Sequence, residues 1–107
     1  MCGILGEYSP SNSLSSLARF KKLLDISKSR GPDESSIKSI SRKIRFGFNR
    51  LSILDLSSSG NQPLLSHNDR YVFIFNGEIY NFIELRSELE ASGQVFSTNT
   101  DTEVFLK

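Results

Sequence analysis

The chain has 107 residues, 37% hydrophobic and 23% charged, and its 13 basic and 12 acidic side chains give a formal net charge of +1. Such a length holds one domain or less with a single core, and the composition is that of a globular chain rather than a disordered or fibrous one. A near-neutral balance lacks the positive field that nucleic-acid phosphates require, no stretch reaches the ~18 apolar residues of a membrane span, and one cysteine with one histidine excludes a disulfide framework and a Cys/His zinc site.

Residues 1–20 also lack a signal-peptide pattern, so the protein is expected in the cytoplasm, with no nucleic-acid or membrane partner. In chain order, Cys2 to Tyr8 reads as a first strand. After the turn-forming Ser9-Pro10-Ser11-Asn12, the spacing of Leu14, Leu17, Phe20, Leu23 and Leu24 predicts a helix that stops before Gly31-Pro32. Two short runs follow, Ile37 with Ile40 and then Ile44, Phe46 and Phe48, and the alternation in the second predicts a half-buried strand. Residues 57–63 are a loop by composition. Tyr71-Val72-Phe73-Ile74-Phe75 is apolar on both faces and is the candidate central strand, ending at Asn76-Gly77. Phe82, Leu85 and Leu89 predict a helix from Asn81 to Ser92, with Asn81 and Glu84 at capping-box spacing and Gly93 as its stop. Thr100 and Glu103 repeat that spacing before Val104, Phe105 and Leu106. His67, in a polar stretch, is assigned no role.

Cysteine directly after the initiator has a chemical consequence. Once Met1 is trimmed, residue 2 carries both a thiol and a free α-amine, which titrates near ~7.7–8.0 and can take the thiol proton. A lone cysteine is equally often a small buried hydrophobe, and position alone leaves both readings open. Asn76-Gly77 can aim a carboxamide and a backbone N–H at one point as an oxyanion hole, but Asn-Gly is also the commonest tight hairpin dipeptide, and taken alone the turn is favoured. Arg50 can hold a carboxylate through two parallel hydrogen bonds or be a solvated charge. Glu78 and Asp101 can hold an ammonium group or be ordinary acids beside helix N-termini.

Together these residues stand in one order: Met1-Cys2-Gly3-Ile4, Arg30-Gly31-Pro32-Asp33, Arg50-Leu51-Ser52-Ile53, Gln62-Pro63, Asn76-Gly77-Glu78-Ile79-Tyr80-Asn81, Glu84-Leu85-Arg86 and Asp101-Thr102-Glu103. The series resembles the class II, N-terminal nucleophile, glutamine amidotransferase domain of asparagine synthetases and runs along nearly the whole chain. The resemblance implies an α+β fold, a sandwich of antiparallel sheets flanked by helices. It makes Cys2 the nucleophile and assigns the oxyanion hole to Asn76 and Gly77. The glutamine substrate would then meet Arg50 at its carboxylate and Glu78 and Asp101 at its ammonium group, with Leu51, Ser52, Ile53 and Leu54 lining the pocket. Departures are Phe48-Asn49 before the arginine, where relatives have His-Arg or His-Glu, and Ser36, where they have glycine.

The resemblance also implies that the family's domain is longer than this chain. Residues 1–107 are therefore expected to be about the first half of that domain, truncated, with the synthetase domain absent. ATP and Mg²⁺ belong to that missing domain, and no cofactor or metal is expected in this segment. The parent enzyme is expected to release ammonia from glutamine through a Cys2 thioester, to amidate aspartate with ATP, and to form a homodimer. Two alternatives stand beside this: a catalytically silent fragment that at most docks on a partner, and a glutaminase domain whose parent amidates a sugar acid.

Overall fold

The computed structural model describes residues Met1–Lys107. A three-stranded antiparallel sheet, with β1 (Gly3–Tyr8), β2 (Glu34–Ser39) and β3 (Ile44–Arg50) in the order β1-β3-β2, carries one helix, α1 (Leu17–Asp25). Ser16 starts this helix by accepting a hydrogen bond from the Arg19 N–H at 3.2 Å, so Leu14 lies outside it. Phe20 and Leu24 are each only 1% exposed, whereas Leu17 and Leu23, read from spacing as part of the same apolar face, are largely exposed.

The face that α1 covers is not the one the Ile44, Phe46, Phe48 alternation suggests. Phe20 and Leu24 press on Gly47, where an added Cβ would meet both side chains at 2.9 Å, and Arg45 stacks its guanidinium 5.3 Å from the Phe20 ring centroid. Arg45, Gly47 and Asn49 therefore point to the helix, because successive strand residues alternate between faces. The small Gly47 admits the helix closely. Asn49, completely buried, donates to the Leu24 carbonyl at 2.8 Å and to Ser27 Oγ at 3.0 Å, and accepts from Ser35 Oγ at 2.6 Å. Asn49 thus ties the end of α1 to the sheet. Phe48 and Arg50 point the other way, yet Gly47 through Arg50 are all buried, so the expectation of a half-buried strand fails at its last residues. The 51–63 segment folds back over that second face, tied to β2 by a hydrogen bond from Ser36 Oγ to the Gln62 carbonyl.

The expected central strand at Tyr71–Phe75 is not one. Only Val72–Phe73 (β5) is extended and paired, against Leu64–Leu65 (β4), and Tyr71 is exposed. An apolar run signals burial, but a central strand needs a ladder on both edges, and β5 has a partner on one. Phe73 and Phe75 instead stack with Phe105 at centroid distances of 5.0 and 5.8 Å. Two helices follow, α2 (Phe82–Ala91) and α3 (Asp101–Leu106).

Neither capping box forms as expected. Asn81 makes no side-chain capping bond, whereas at the other end of α2 the Gly93 N–H reaches the Glu90 carbonyl at 3.0 Å and Gln94 N–H reaches Leu89 at 2.9 Å. Gly93 takes φ +96°, the left-handed geometry that favours glycine in this motif. At α3, Thr100 accepts from the Glu103 N–H at 3.3 Å, but Glu103 reaches past Thr100 to the Ser97 and Thr98 N–H groups. The observed architecture is mixed α and β with antiparallel sheets. No helix is long and apolar enough to cross a membrane.

Candidate active site

Strand alternation brings the first site residue into place. Gly3 pairs with Asn49 and faces Ser27 beneath the helix, so Cys2 turns to the opposite face, the one that carries Arg50. Its Sγ accepts from the Leu51 N–H at 3.4 Å, and its backbone N–H donates to Asn76 Oδ1 at 2.9 Å. The Cys2 carbonyl accepts from Arg30 Nε at 3.3 Å, which holds the residue from the other side. Cys2, Arg50, Asn76, Gly77, Glu78 and Asp101 all line one cavity of about 320 Å³.

Asn76 and Gly77 sit in the turn that follows β5. With its carbonyl oxygen engaged by Cys2, the Asn76 side chain keeps its Nδ2–H groups unpartnered, and no intramolecular acceptor takes the Gly77 N–H. No buried side-chain nitrogen or oxygen is left without a partner, so Asn76 Nδ2 is accessible, and Asn76 lines the cavity. Two unpartnered donors thus belong to residues that line the same cavity as Cys2, and an oxyanion requires such donors.

Arg50 is 5% exposed and is gripped by the 55–61 loop. Its Nη1 donates to the Ser57 carbonyl and, at 3.0 Å, to Asn61 Oδ1, while Nη2 donates to the Asp55 carbonyl. Glu34 Oε2 lies 3.9 Å from Nη1. Nε has no hydrogen-bond partner, and Arg50 is among the residues that line the cavity. A guanidinium fixed in this way can offer its remaining N–H donors to a carboxylate.

The loop read from composition as a bare connection is thus the frame of Arg50. Its anchor, Asp55, carried no expectation, although a lone acid between Leu54 and Leu56 is a signal that a charge is being buried for a reason. Asp55 accepts from Ser57 Oγ at 2.6 Å, the Ser57 N–H at 2.8 Å and the Asn99 N–H at 3.1 Å. The Ser57 hydroxyl, then these backbone N–H groups, hold its carboxyl down from 3.8 to about 2.

Asp101 is buried; its Oδ2 accepts from the Ile79 N–H at 2.9 Å and its Oδ1 from Thr102 Oγ1 at 3.3 Å. Glu78 is exposed and makes no hydrogen bond. Leu51, Ile53 and Leu54 line the cavity; Ser52 does not, its N–H being turned to Asp33 Oδ2 at 2.7 Å. No group of three or more His, Cys, Asp or Glu side chains is arranged to hold a metal ion.

A family model for the glutamine amidotransferase domain matches residues 1–107. Asparagine synthetase [glutamine-hydrolyzing] 1 of Bacillus subtilis is 42% identical over 109 aligned positions, covering 99% of this chain and 17% of the relative. A putative asparagine synthetase [glutamine-hydrolyzing] of Mycobacterium tuberculosis is 43% identical over 124 positions, covering 99% of this chain and 18% of its own length. A probable asparagine synthetase [glutamine-hydrolyzing] of Dictyostelium discoideum is 40% identical, again over 99% of this chain and 19% of its own. The chain therefore spans less than a fifth of the length of these relatives.

Proposed function

This chain belongs to the glutamine amidotransferase domain family, and from that premise we propose that it is the glutaminase part of an asparagine synthetase-like enzyme, with Cys2 as nucleophile. The observation that carries the reading is the single cavity lined by Cys2, by Asn76 and Gly77 with their unpartnered Nδ2 and backbone N–H donors, and by Arg50. Met1, which is 70% exposed, is removed first. The freed α-amine, held by Asn76 Oδ1, then accepts the thiol proton.

Sulfur attacks the side-chain carboxamide of glutamine, and the oxyanion that forms is met by Asn76 and Gly77. The amine returns the proton to the departing nitrogen; the C–N bond breaks and ammonia leaves a thioester on Cys2. Water, deprotonated by the same amine, adds to that thioester, the C–S bond breaks, and glutamate and the thiol are restored. Arg50 holds the substrate carboxylate, and Leu51, Ile53 and Leu54 border the chain of the substrate. Glu78, solvated and unpaired, and Asp101 hold its ammonium group. Asp101 does so from a carboxylate already tied to Ile79, which orients it for this role.

The fold is read as the N-terminal nucleophile hydrolase type, with these residues as a partial domain. Ammonia passes to a synthetase domain, which amidates aspartate at the expense of ATP, and the parent enzyme is a homodimer in the cytoplasm, where thiols stay reduced. The present residues do not fit ATP or Mg²⁺: they offer no metal-holding cluster and no phosphate loop, so no step above involves either. The test is alkylation by a glutamine-like diazoketone, read by mass. One adduct on Cys2 of a chain lacking Met1, blocked by excess glutamine and absent from Cys2→Ala, is expected. A folded chain that takes no adduct would leave the silent-fragment reading.

A further inference from the structure

We propose that Gln62 is the positioning residue of the oxyanion turn, acting through Thr102 and Asp101 as one staple that grips the turn at both flanks. The proposal rests on reading Asn76 and Gly77 as the oxyanion hole. On the upstream side, the Phe75 N–H donates to Gln62 Oε1 at 2.6 Å. On the downstream side, the Ile79 N–H donates to Asp101 Oδ2 at 2.9 Å. The two anchors are joined: Gln62 Nε2 donates to Thr102 Oγ1 at 3.3 Å, and the Thr102 hydroxyl donates to Asp101 Oδ1 at 3.3 Å. Every donor in this chain of bonds has one acceptor and the Thr102 hydroxyl both accepts and donates, so the directions are consistent from Phe75 to Ile79.

Gln62, Thr102 and Asp101 are 6%, 5% and 6% exposed, so water does not readily replace any of these bonds. The turn itself has little else to hold it. Residues 76–78 lie outside any strand or helix, and Gly77 and Glu78 are exposed. Oxyanion donors act by being fixed before the charge develops, and a displacement of about 1 Å is enough to lose much of their effect. A staple across the flanks therefore fixes the donors without spending Asn76 Nδ2 or the Gly77 N–H on a protein partner. Gln62 borders the cavity and holds the turn through the Phe75 N–H.

The test uses the full chain with Gln62→Met, Thr102→Val and Thr102→Ser, measuring glutamate release from glutamine, alkylation of Cys2 by iodoacetamide, and amide exchange by NMR. Gln62→Met and Thr102→Val are expected to lower kcat about tenfold to a hundredfold; KM stays within about twofold in Gln62→Met, because the donors act on the transition state, and rises in Thr102→Val, which also frees the Asp101 carboxylate that holds the substrate. Iodoacetamide, which needs no oxyanion hole, reacts at the wild-type rate. The Phe75 and Ile79 N–H groups both exchange faster in each of these two variants while the β1–β3 amides keep their protection, and Thr102→Ser, which retains the hydroxyl, recovers most of the loss. A rise in KM of Gln62→Met that matches its fall in kcat, or faster exchange at one flank alone, would overturn the staple. A wild-type chain that releases no glutamate would overturn the glutaminase reading instead, and the exchange pattern tells the two failures apart because it does not depend on activity.

Discussion

The first half of the molecule and the second are stabilised by different physics. In residues 1–50, strands of six or seven residues make a continuous backbone ladder, and Phe20, Leu24 and Phe48 are buried to 2% exposure or less. In residues 51–107, the strands are two residues long and Val104 is the one buried apolar side chain. The buried groups there are polar: Asp55, Gln62, Thr98, Thr100, Asp101, Thr102 and Glu103, linked to one another and to backbone N–H groups. Apolar burial is non-directional and sets a scaffold; buried hydrogen bonds are directional and set positions. The candidate site lies on the seam, with Cys2 and Arg50 at the ends of ladder strands and Asn76, Gly77 and Asp101 in the polar part.

Substitutions can separate the two regimes. The largest effect is expected from Phe20→Ala, which opens a cavity between α1 and Gly47 and should cost about 3–5 kcal/mol in denaturant unfolding, a large share of the stability of a domain this size. Were Thr98 and Phe75 amide protection to survive that change, the halves would be independently stable. Glu103→Gln probes the polar half. The native carboxylate accepts from Thr98 N–H at 2.6 Å, Thr98 Oγ1 at 2.8 Å and Ser97 N–H at 2.9 Å, and a carboxamide has one oxygen to offer them. A loss of about 1–2 kcal/mol, with faster exchange at Thr98, is expected.

Acid should weaken the polar half through Asp55. Asp55 is held down to about 2 in the folded chain, chiefly by Ser57 Oγ, against an ordinary 3.8. A depressed carboxylate contributes stability that is complete above its unfolded value and disappears as pH falls through the folded one, so the loss falls between about pH 4 and pH 2. Denaturant midpoints measured across that window should drop more steeply for the wild type than for Asp55→Asn. Glu7, in the ladder half, is lowered as well, mainly by the Ser15 N–H, and its Gln variant serves as the comparison. The smallest effect belongs to Lys21→Ala: its 2.9 Å ion pair with Asp25 joins two well-exposed side chains, and a change within about 0.5 kcal/mol is expected in the same unfolding measurement.

What the amino-acid sequence determined by itself were features decided within a few residues or by fixed periodicity. The first strand up to Tyr8, the helix around Phe20 and Leu24, the strand of Ile44, Phe46 and Phe48, the Gly93 stop and the Thr100 cap are all of this kind. The ordered motif series from Cys2 to Glu103 also pointed to the glutamine amidotransferase family that the comparisons identify. Tertiary structure alone decided which strand face the helix covers, because Gly47 is small enough to receive it and an alternation pattern does not say so. It reduced the Tyr71–Phe75 run to a short pair, since pairing depends on a second edge that the run itself does not contain. It also gave Asp55, Gln62 and Glu103 their positions, through partners that include Asn99 for Asp55, and Phe75 and Thr102 for Gln62. A hydrogen bond between residues that far apart has no local signature, because its geometry exists only once the chain has folded back on itself.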